Sequence, residues 1–358
     1  MTEAVLLVGG QGTRLRPLTV NTPKPMLPVA GVPFTVHQIM RARDAGVTRI
    51  VLATSYRADV FRAFMDTADL GIEVVIATED EPLGTGGAIR HALPFLESGP
   101  DEAVLVFNGD VLTGLDIRGL VDHHEATGSD VTLYLTPVED PRAYGLVPTD
   151  AEGRVTAFLE KPTSDEQIVT HNINAGCYVF KRSVIDSIPS GRPVSVERET
   201  FPHLLQTGAR VTGVVDKGYW LDLGTPLAFV QGSCDLVLGA APSPAVPRTG
   251  NSLVLDGATV APDAQVRGGS VIGRDCVVGS GAIVSGTVVF DGARIDDDAH
   301  LINSIIGAGA VIGAGTVLHG AVIGDGARIG AGNELLTGVR VWPGAEIADG
   351  SVRFSSDG

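Results

Sequence analysis

The chain has 358 residues, 44% of them hydrophobic, enough for two domains with separate cores and too apolar for a disordered polymer. A formal net charge of −16 argues against broad contact with nucleic acid or anionic membrane. The three cysteines, Cys177, Cys234 and Cys276, follow neither disulfide nor zinc spacing and read as buried, inert thiols.

The first element after Met1-Thr2-Glu3 is an apolar run, Ala4 to Val8, with the character of a buried parallel strand. No secretory leader and no stretch of 18 apolar residues is visible, so a cytoplasmic location and no membrane contact are expected. The strand runs into Gly9-Gly10-Gln11-Gly12-Thr13-Arg14-Leu15-Arg16, followed by Pro23-Lys24-Pro25. Closely spaced glycines bring backbone N–H groups near a ligand, and Arg14, Arg16 and Lys24 add positive charge beside them. Several phosphates on one ligand best explain that combination. The spacing matches neither the dinucleotide fingerprint nor the usual nucleoside-triphosphatase loop.

Residues 34–45 have helical spacing and end at Gly46. Strands follow at 49–53 and 72–77, with a helix at 59–65 between them. Residues 85–96 begin as a loop and become helical, and 103–107 is a fourth strand ending in Asn108-Gly109-Asp110. This alternation predicts an α/β fold with an open, Rossmann-like, mostly parallel sheet. Ligands bind such sheets beyond the carboxyl ends of the strands, where the glycine loop and Asp110 both fall. Further strands are expected at 130–137, 154–159, 173–180 and 211–215, helices at 195–207 and 225–237, and a polar turn at 218–226. The adjacent His123 and His124 read as surface residues of a helix.

A linker rich in Ala, Pro and Ser, 239–250, separates a domain at 1–238 from one at 251–358. In the last stretch apolar residues recur at steps of six with occasional fives, from Val254 through Ile272, Val289, Ile306 and Ile323 to Ile347. Glycine follows at Gly273, Gly279, Gly307, Gly313, Gly324 and Gly330. The period predicts a parallel β-helix built from hexapeptide repeats.

Asp110 and Asp222 are candidate carboxylate ligands for a cation on the polyphosphate, or else a cap and a turn carboxylate. Leu83-Gly84-Thr85-Gly86-Gly87 forms a second glycine loop that could face a base. Glu160-Lys161, Asn174, Gly176 and Glu197 could meet a sugar phosphate, though each alone is better explained structurally. His300 and His319 could be imagined as bases for acyl transfer, which other hexapeptide β-helices perform, but no acceptor motif accompanies them.

Together these segments resemble the sugar-1-phosphate nucleotidyltransferases, most closely the shorter two-domain type that joins GTP to mannose 1-phosphate. The similar pieces run in order from Leu7–Thr19 through Pro23-Lys24-Pro25, Glu81–Gly87, Asn108–Asp110, Tyr144-Gly145, Glu160–Pro162, Ile173–Gly176 and Ser195–Glu197 to Gly218–Pro226, with the β-helix behind them. The resemblance implies a left-handed β-helix and an enzyme that makes GDP-mannose and pyrophosphate from GTP and α-D-mannose 1-phosphate with Mg²⁺. It implies nucleotide contacts from Leu7, Gly9, Gly10, Gly12, Thr13, Arg14, Lys24, Gly84, Thr85, Gly86 and Asp110. Gly145, Glu160, Lys161, Asn174, Gly176 and Glu197 would line the sugar phosphate, Asp110 and Asp222 would hold the metal, and Arg14, Lys24, Asp110 and Asp222 would carry catalysis. UTP or dTTP with glucose 1-phosphate, or a non-catalytic sugar-nucleotide-binding regulatory subunit, are the alternatives. A homo-oligomer is expected, with the β-helix either mediating self-association or capping the first domain. The family's usual Leu-Gly-Thr-Ala-Gly reads Leu83-Gly84-Thr85-Gly86-Gly87 here, and the missing methyl is expected to loosen that loop.

Overall fold

The computed structural model describes residues 2–246 and 250–353. They form two compact units that do not follow the linear order of the chain: the stretch up to Gly10 with Gln38–Trp220, and Gln11–His37 with the stretch from Leu221 onward. The expected linker, 239–250, includes residues outside the described ones.

The first unit is built on a nine-stranded sheet. Strands β1 (Thr2–Leu7), β2 (Val47–Thr54), β3 (Glu73–Thr78) and β4 (Ala103–Asn108) are parallel, in the order β3-β2-β1-β4. Central residues of β1, β2 and β4, among them Val5, Val51 and Val106, are at most 1% exposed, as the apolar runs require of strands covered on both faces, whereas in the edge strand β3 only Ala77 is buried. Helices α1 (Phe34–Asp44), α2 (Ala58–Met65), α3 (Gly84–Ala92) and α4 (Ile117–Thr127) connect or follow them. Because the chain moves outward from β1 to β3 and then returns to β4 on the other side of β1, the sheet has a topological switch point between β1 and β4. Antiparallel strands extend this side: β5 (Val131–Pro137) and β6 (Asn172–Lys181), with β6 beside β4 and β5 beside β6. After α5 (Phe201–Gln206), strand β7 (Val211–Val215) pairs parallel with β5.

Three sequence readings change here. The strand expected at 154–159 reduces to isolated bridges at Arg154 and Val155 and a two-residue strand at Leu159–Glu160. The helix expected at 195–207 opens as a π-turn, Val196–Thr200, before α5. His124 is not a surface residue: it is 5% exposed and its Nδ1 bonds the Thr132 hydroxyl at 2.9 Å. All three cysteines are buried, as expected.

The second unit is a left-handed parallel β-helix preceded by α6 (Pro226–Leu238) and joined by the Gln11–His37 segment. Thr225 caps α6 by accepting the Ala228 N–H, Pro226 starts it, and Gly239 ends it at φ 80°. Three sheets of six, six and five short strands make the coil walls. The inward ladder is the one read from the period: Ile272, Val289, Ile306 and Ile323 lie in register on one wall, at most 1% exposed. Val254, at the open first coil, is the exception at 46% exposed. Glycines at the corners answer a packing demand: a Cβ on Gly273, Gly307 or Gly313 would lie 2.5–2.6 Å from backbone nitrogen of the next coil. Buried hydroxyls run along another line, with Ser270, Thr287 and Ser304 each accepting the N–H of the residue one coil on.

His37 is fully buried in this unit. Its Nε2 donates to the Val29 carbonyl at 2.9 Å and its Nδ1 shares a hydrogen bond with Ser243 Oγ at 2.7 Å, accepting it when the ring is neutral. Burial lowers its pKa to about 4, partly opposed by the Val29 bond. Between pH 6.5 and 4 the unfolded chain therefore takes up a proton that the native ring refuses, so stability falls as pH falls. Between pH 6.5 and 5 this histidine should cost about 2 kcal/mol. Urea melts across that window should show the loss, and His37→Gln should shrink the slope; an unchanged slope removes His37 as its source. Within the β-helix, Ile306→Asp leaves an uncompensated charge between two coils and should destabilise by about 3–5 kcal/mol. A melting temperature within about 2 °C of wild type would show that Ile306 is not a core position.

Candidate active site

In the first unit the switch point is framed by residues from the two strand ends. The Gly109 N–H donates to the Leu7 carbonyl at 2.9 Å, and a Cβ on Gly109 would collide with that oxygen. Gly9 and Gly10 continue β1, with the Ser55 hydroxyl on the Gly9 carbonyl at 3.3 Å. Asp110, half-buried, follows β4 on the other side.

Strand β6 carries a bulge opposite this point, where pairing with β5 slips between Asn174 and Tyr178. Gly176 occupies the bulge at φ 77°, a conformation that suits glycine, and its Cα faces the Asn108 side chain, which a Cβ would meet at 2.9 Å. Asn174 is fixed from two sides: its Oδ1 accepts the Gly176 N–H at 3.1 Å and its Nδ2 donates to Tyr178 Oη at 2.8 Å. Trp220 Nε1 donates to the Ala175 carbonyl at 3.0 Å, and its ring meets Tyr144 edge-on at 5.4 Å. Next to Tyr144, Gly145 pairs with Glu160, and a Cβ on Gly145 would lie 2.8 Å from the Glu160 carboxylate. Lys161 Nζ is 3.9 Å from that carboxylate. Gly145, Glu160 and Lys161 thus form one group, and Asn174 and Gly176 form another with Asn108.

The second glycine loop is stitched to the segment that carries Glu197. Val194 receives the N–H groups of Gly86 and Gly87 at 2.8 and 3.3 Å and donates its own to the Leu83 carbonyl at 2.8 Å. Thr85 Oγ1 donates to Glu197 Oε2 at 2.9 Å and accepts the Val196 N–H at 2.9 Å, while Ser195 Oγ also donates to Glu197. Glu79, 6% exposed with its pKa raised by burial, accepts the Leu83 N–H at 3.0 Å and braces the loop's start. The expectation that Gly86 loosens the loop is reversed: a Cβ there would lie 2.9 Å from Val194 Cγ1, so glycine permits tighter packing. The segment's sequence distance from the loop, more than a hundred residues, concealed this pairing.

The second unit holds the rest of the signature. Gly12 sits at φ 59°, and a Cβ there would come within 2.7 Å of Lys24 Cβ; the Thr19 hydroxyl closes the turn on the Gly12 carbonyl at 2.8 Å. Thr13–Leu15 form a short 3₁₀ turn that carries exposed Thr13 and Arg14. Lys24 is only 8% exposed, and its Nζ lies 3.8 Å from Asp222 Oδ1. Arg14 Nη2 lies 3.8 Å from Asp222 Oδ2, packed against Gly224. Two cations thus share one carboxylate. Among the described residues no three His, Cys, Asp or Glu side chains cluster as a metal cage. Sequence reasoning passed over Asn108, Tyr178 and Trp220 as side chains; Asn108 and Trp220 stood inside the runs it quoted, but their partners lie on β6 and its bulge.

No helix among the described residues is long and apolar enough to cross a membrane. A family model for nucleotidyl transferases matches residues 3–237, and one for the GMPPB C-terminal domain matches 248–353. The chain is 56% identical to a mannose-1-phosphate guanylyltransferase of Mycobacterium tuberculosis, over 99% of this chain and 98% of that one. It is 38% identical to a probable mannose-1-phosphate guanylyltransferase 3 of Oryza sativa, over 82% of this chain and 79% of the relative. Among solved structures it is similar to HddC of Yersinia pseudotuberculosis, with 30% identity and a TM-score of 0.57 over 66% of this chain and all of that one. With both parts of the chain matched, and the first by far more than half its length, the chain belongs to the nucleotidyl transferase family.

Proposed function

We propose that this nucleotidyltransferase moves the guanylyl group of GTP to α-D-mannose 1-phosphate, giving GDP-mannose and pyrophosphate. The observation that carries the reading is the pairing of Arg14 and buried Lys24 around Asp222, two cations brought together in a chain of net charge −16. The end-to-end identity to the mycobacterial guanylyltransferase supports the choice of base and sugar over UTP or dTTP with glucose 1-phosphate.

The sugar phosphate is already an anion, so its oxygen attacks the α-phosphorus without a general base, and pyrophosphate leaves in line. Arg14, Lys24 and the N–H groups of Gly9, Gly10, Gly12 and Thr13 hold the triphosphate, with Leu7 at the loop's root. Their work is alignment and neutralisation of the charge that gathers on the leaving group. Gly84, Thr85 and Gly86 border the base. Gly145, Glu160, Asn174, Gly176 and Glu197 receive the sugar, and Lys161 its phosphate. Asp110 and Asp222 offer hard oxygen donors, suited to a divalent cation whose remaining ligands come from phosphate and water. Mg²⁺, when bound there, supplies Lewis-acid neutralisation of phosphate charge. Asp110 belongs to the first unit and Asp222 to the second.

Purified protein should release pyrophosphate fastest with GTP and mannose 1-phosphate in a matrix of triphosphates and sugar 1-phosphates. Higher kcat/KM for UTP or dTTP with glucose 1-phosphate would replace the substrates, and no turnover with any pair would favour a regulatory subunit. Asp110→Asn keeps the side chain's shape and removes its charge. Turnover should fall by a factor of about 10² or more, with folding intact by circular dichroism. A wild-type rate across a Mg²⁺ titration would take Asp110 out of the mechanism.

A further inference from the structure

Two walls of the β-helix present polar or mixed outer faces. On one, Thr259, Val277, Arg294, Arg328 and Glu346 are exposed; on another, Gln265, His300, Ile302 and His319. The wall that starts at Ser252–Val254 differs. Its outward row reads Leu253, Val271, Val288, Ile305, Val322 and finally Arg340, in register from coil to coil. The middle four are at most 3% exposed, although they point away from the coil's own core.

This wall is covered within its own unit. Helix α6 lies on it, with Phe229 meeting Phe290 edge-on at 6.3 Å and Cys234 packed against Gly269. The signature segment is tied to the same body at three points. The Ala30 N–H donates to Ser233 Oγ at 2.9 Å, Gly31 packs against the Leu255 methyls, and Arg340 Nη1 donates to the Arg16 carbonyl at 2.7 Å. Leu255 lies beside the first strand of the wall and Arg340 on the last. Strands stack about 4.8 Å apart, so these anchors stand roughly 24 Å from each other.

We propose that Arg340 is a positioning residue of the β-helix, holding the turn that carries Arg14 and so setting the affinity of the signature loop for a nucleoside triphosphate. The Arg16 carbonyl ends the Thr13–Leu15 turn, in and after which the Leu15, Arg16 and Leu18 N–H groups donate to the Gly12, Thr13 and Leu15 carbonyls. A guanidinium donor on that carbonyl fixes the remaining polar end of the turn. Arg14, 64% exposed, has its Asp222 and Gly224 neighbours on the same body, so its placement follows that of the turn. The inference rests on the proposed function for its substrate, but not for the contact.

The test combines kinetics with amide hydrogen exchange on the full chain. Arg340→Ala should raise KM for GTP, and Kd for pyrophosphate, about fivefold to tenfold, the scale of one net hydrogen bond, with kcat within about twofold. In the same variant without ligand, the Leu18 and Val20 amides should exchange faster. Arg340→Lys should recover most of both effects, and His319→Ala, on an exposed wall, should change neither. Unchanged KM and exchange in Arg340→Ala would overturn the proposal. So would a general fall in melting temperature and in kcat that lysine does not rescue, since that is the mark of a merely structural role. If the wild type turns over no substrate pair while loop exchange still responds to Arg340, the functional reading fails and the positioning contact stands.

Discussion

A lysine ammonium can be buried only if opposite charge stands beside it. Lys24 is 8% exposed, and the carboxylate that answers it comes from Asp222, nearly two hundred residues later in the chain. This pairing is one of the ties between the signature segment and the chain from Leu221 onward. The segment's early position in the sequence hides a late partner. Once Lys24 is tied to Asp222, the turn at Gly12 must pass close to the Lys24 side chain, and no residue with a Cβ fits there without displacement. The glycine, the buried cation and the distant aspartate form one constraint.

The β-helix solves a related problem by repetition. Each coil buries its apolar corner only because the next coil covers it, so the ladder from Ile272 to Val341 is one core. Its outer faces are then free to differ. Two are polar enough for water, and the third continues apolar outward under α6 and ends at Arg340. The tail therefore gives the signature segment a rigid wall to lie on, which isolated loops of that length lack.

Periodic features were legible in the sequence because they are local. The hexapeptide step and the strand–helix alternation through Asn108 repeat or punctuate within a few residues, and each appears in the fold as read. Features fixed by distant partners were not. His124 follows helical spacing like His123, and only the Thr132 hydroxyl from the neighbouring strand makes it a buried residue. The β6 bulge at Gly176 depends on room for Asn108, and the π-turn at Val196–Thr200 on Thr85 and Glu197 meeting across the fold. For Gly86, the sequence suggested looseness, whereas Val194 on the far side makes the same glycine a close fit. Residue types at the candidate site were thus readable, and the hydrogen bonds that orient them were not.

The charge pattern follows the same separation of local from global. A net charge of −16 repels polyanions at a distance, and salt narrows that repulsion to about 8–10 Å. Arg14 and Lys24 act within that range, brought together on one carboxylate. A long nucleic acid must bring many phosphates against the acidic surface to reach this group, whereas a nucleoside triphosphate brings only its own three. On the proposed function, the backbone N–H groups of the glycine turn would add donors without adding net charge, favouring a compact polyphosphate while the surrounding acidity is preserved. On that proposal, selection for a small phosphorylated ligand over a polymer comes from the contrast between the loop and the surface around it.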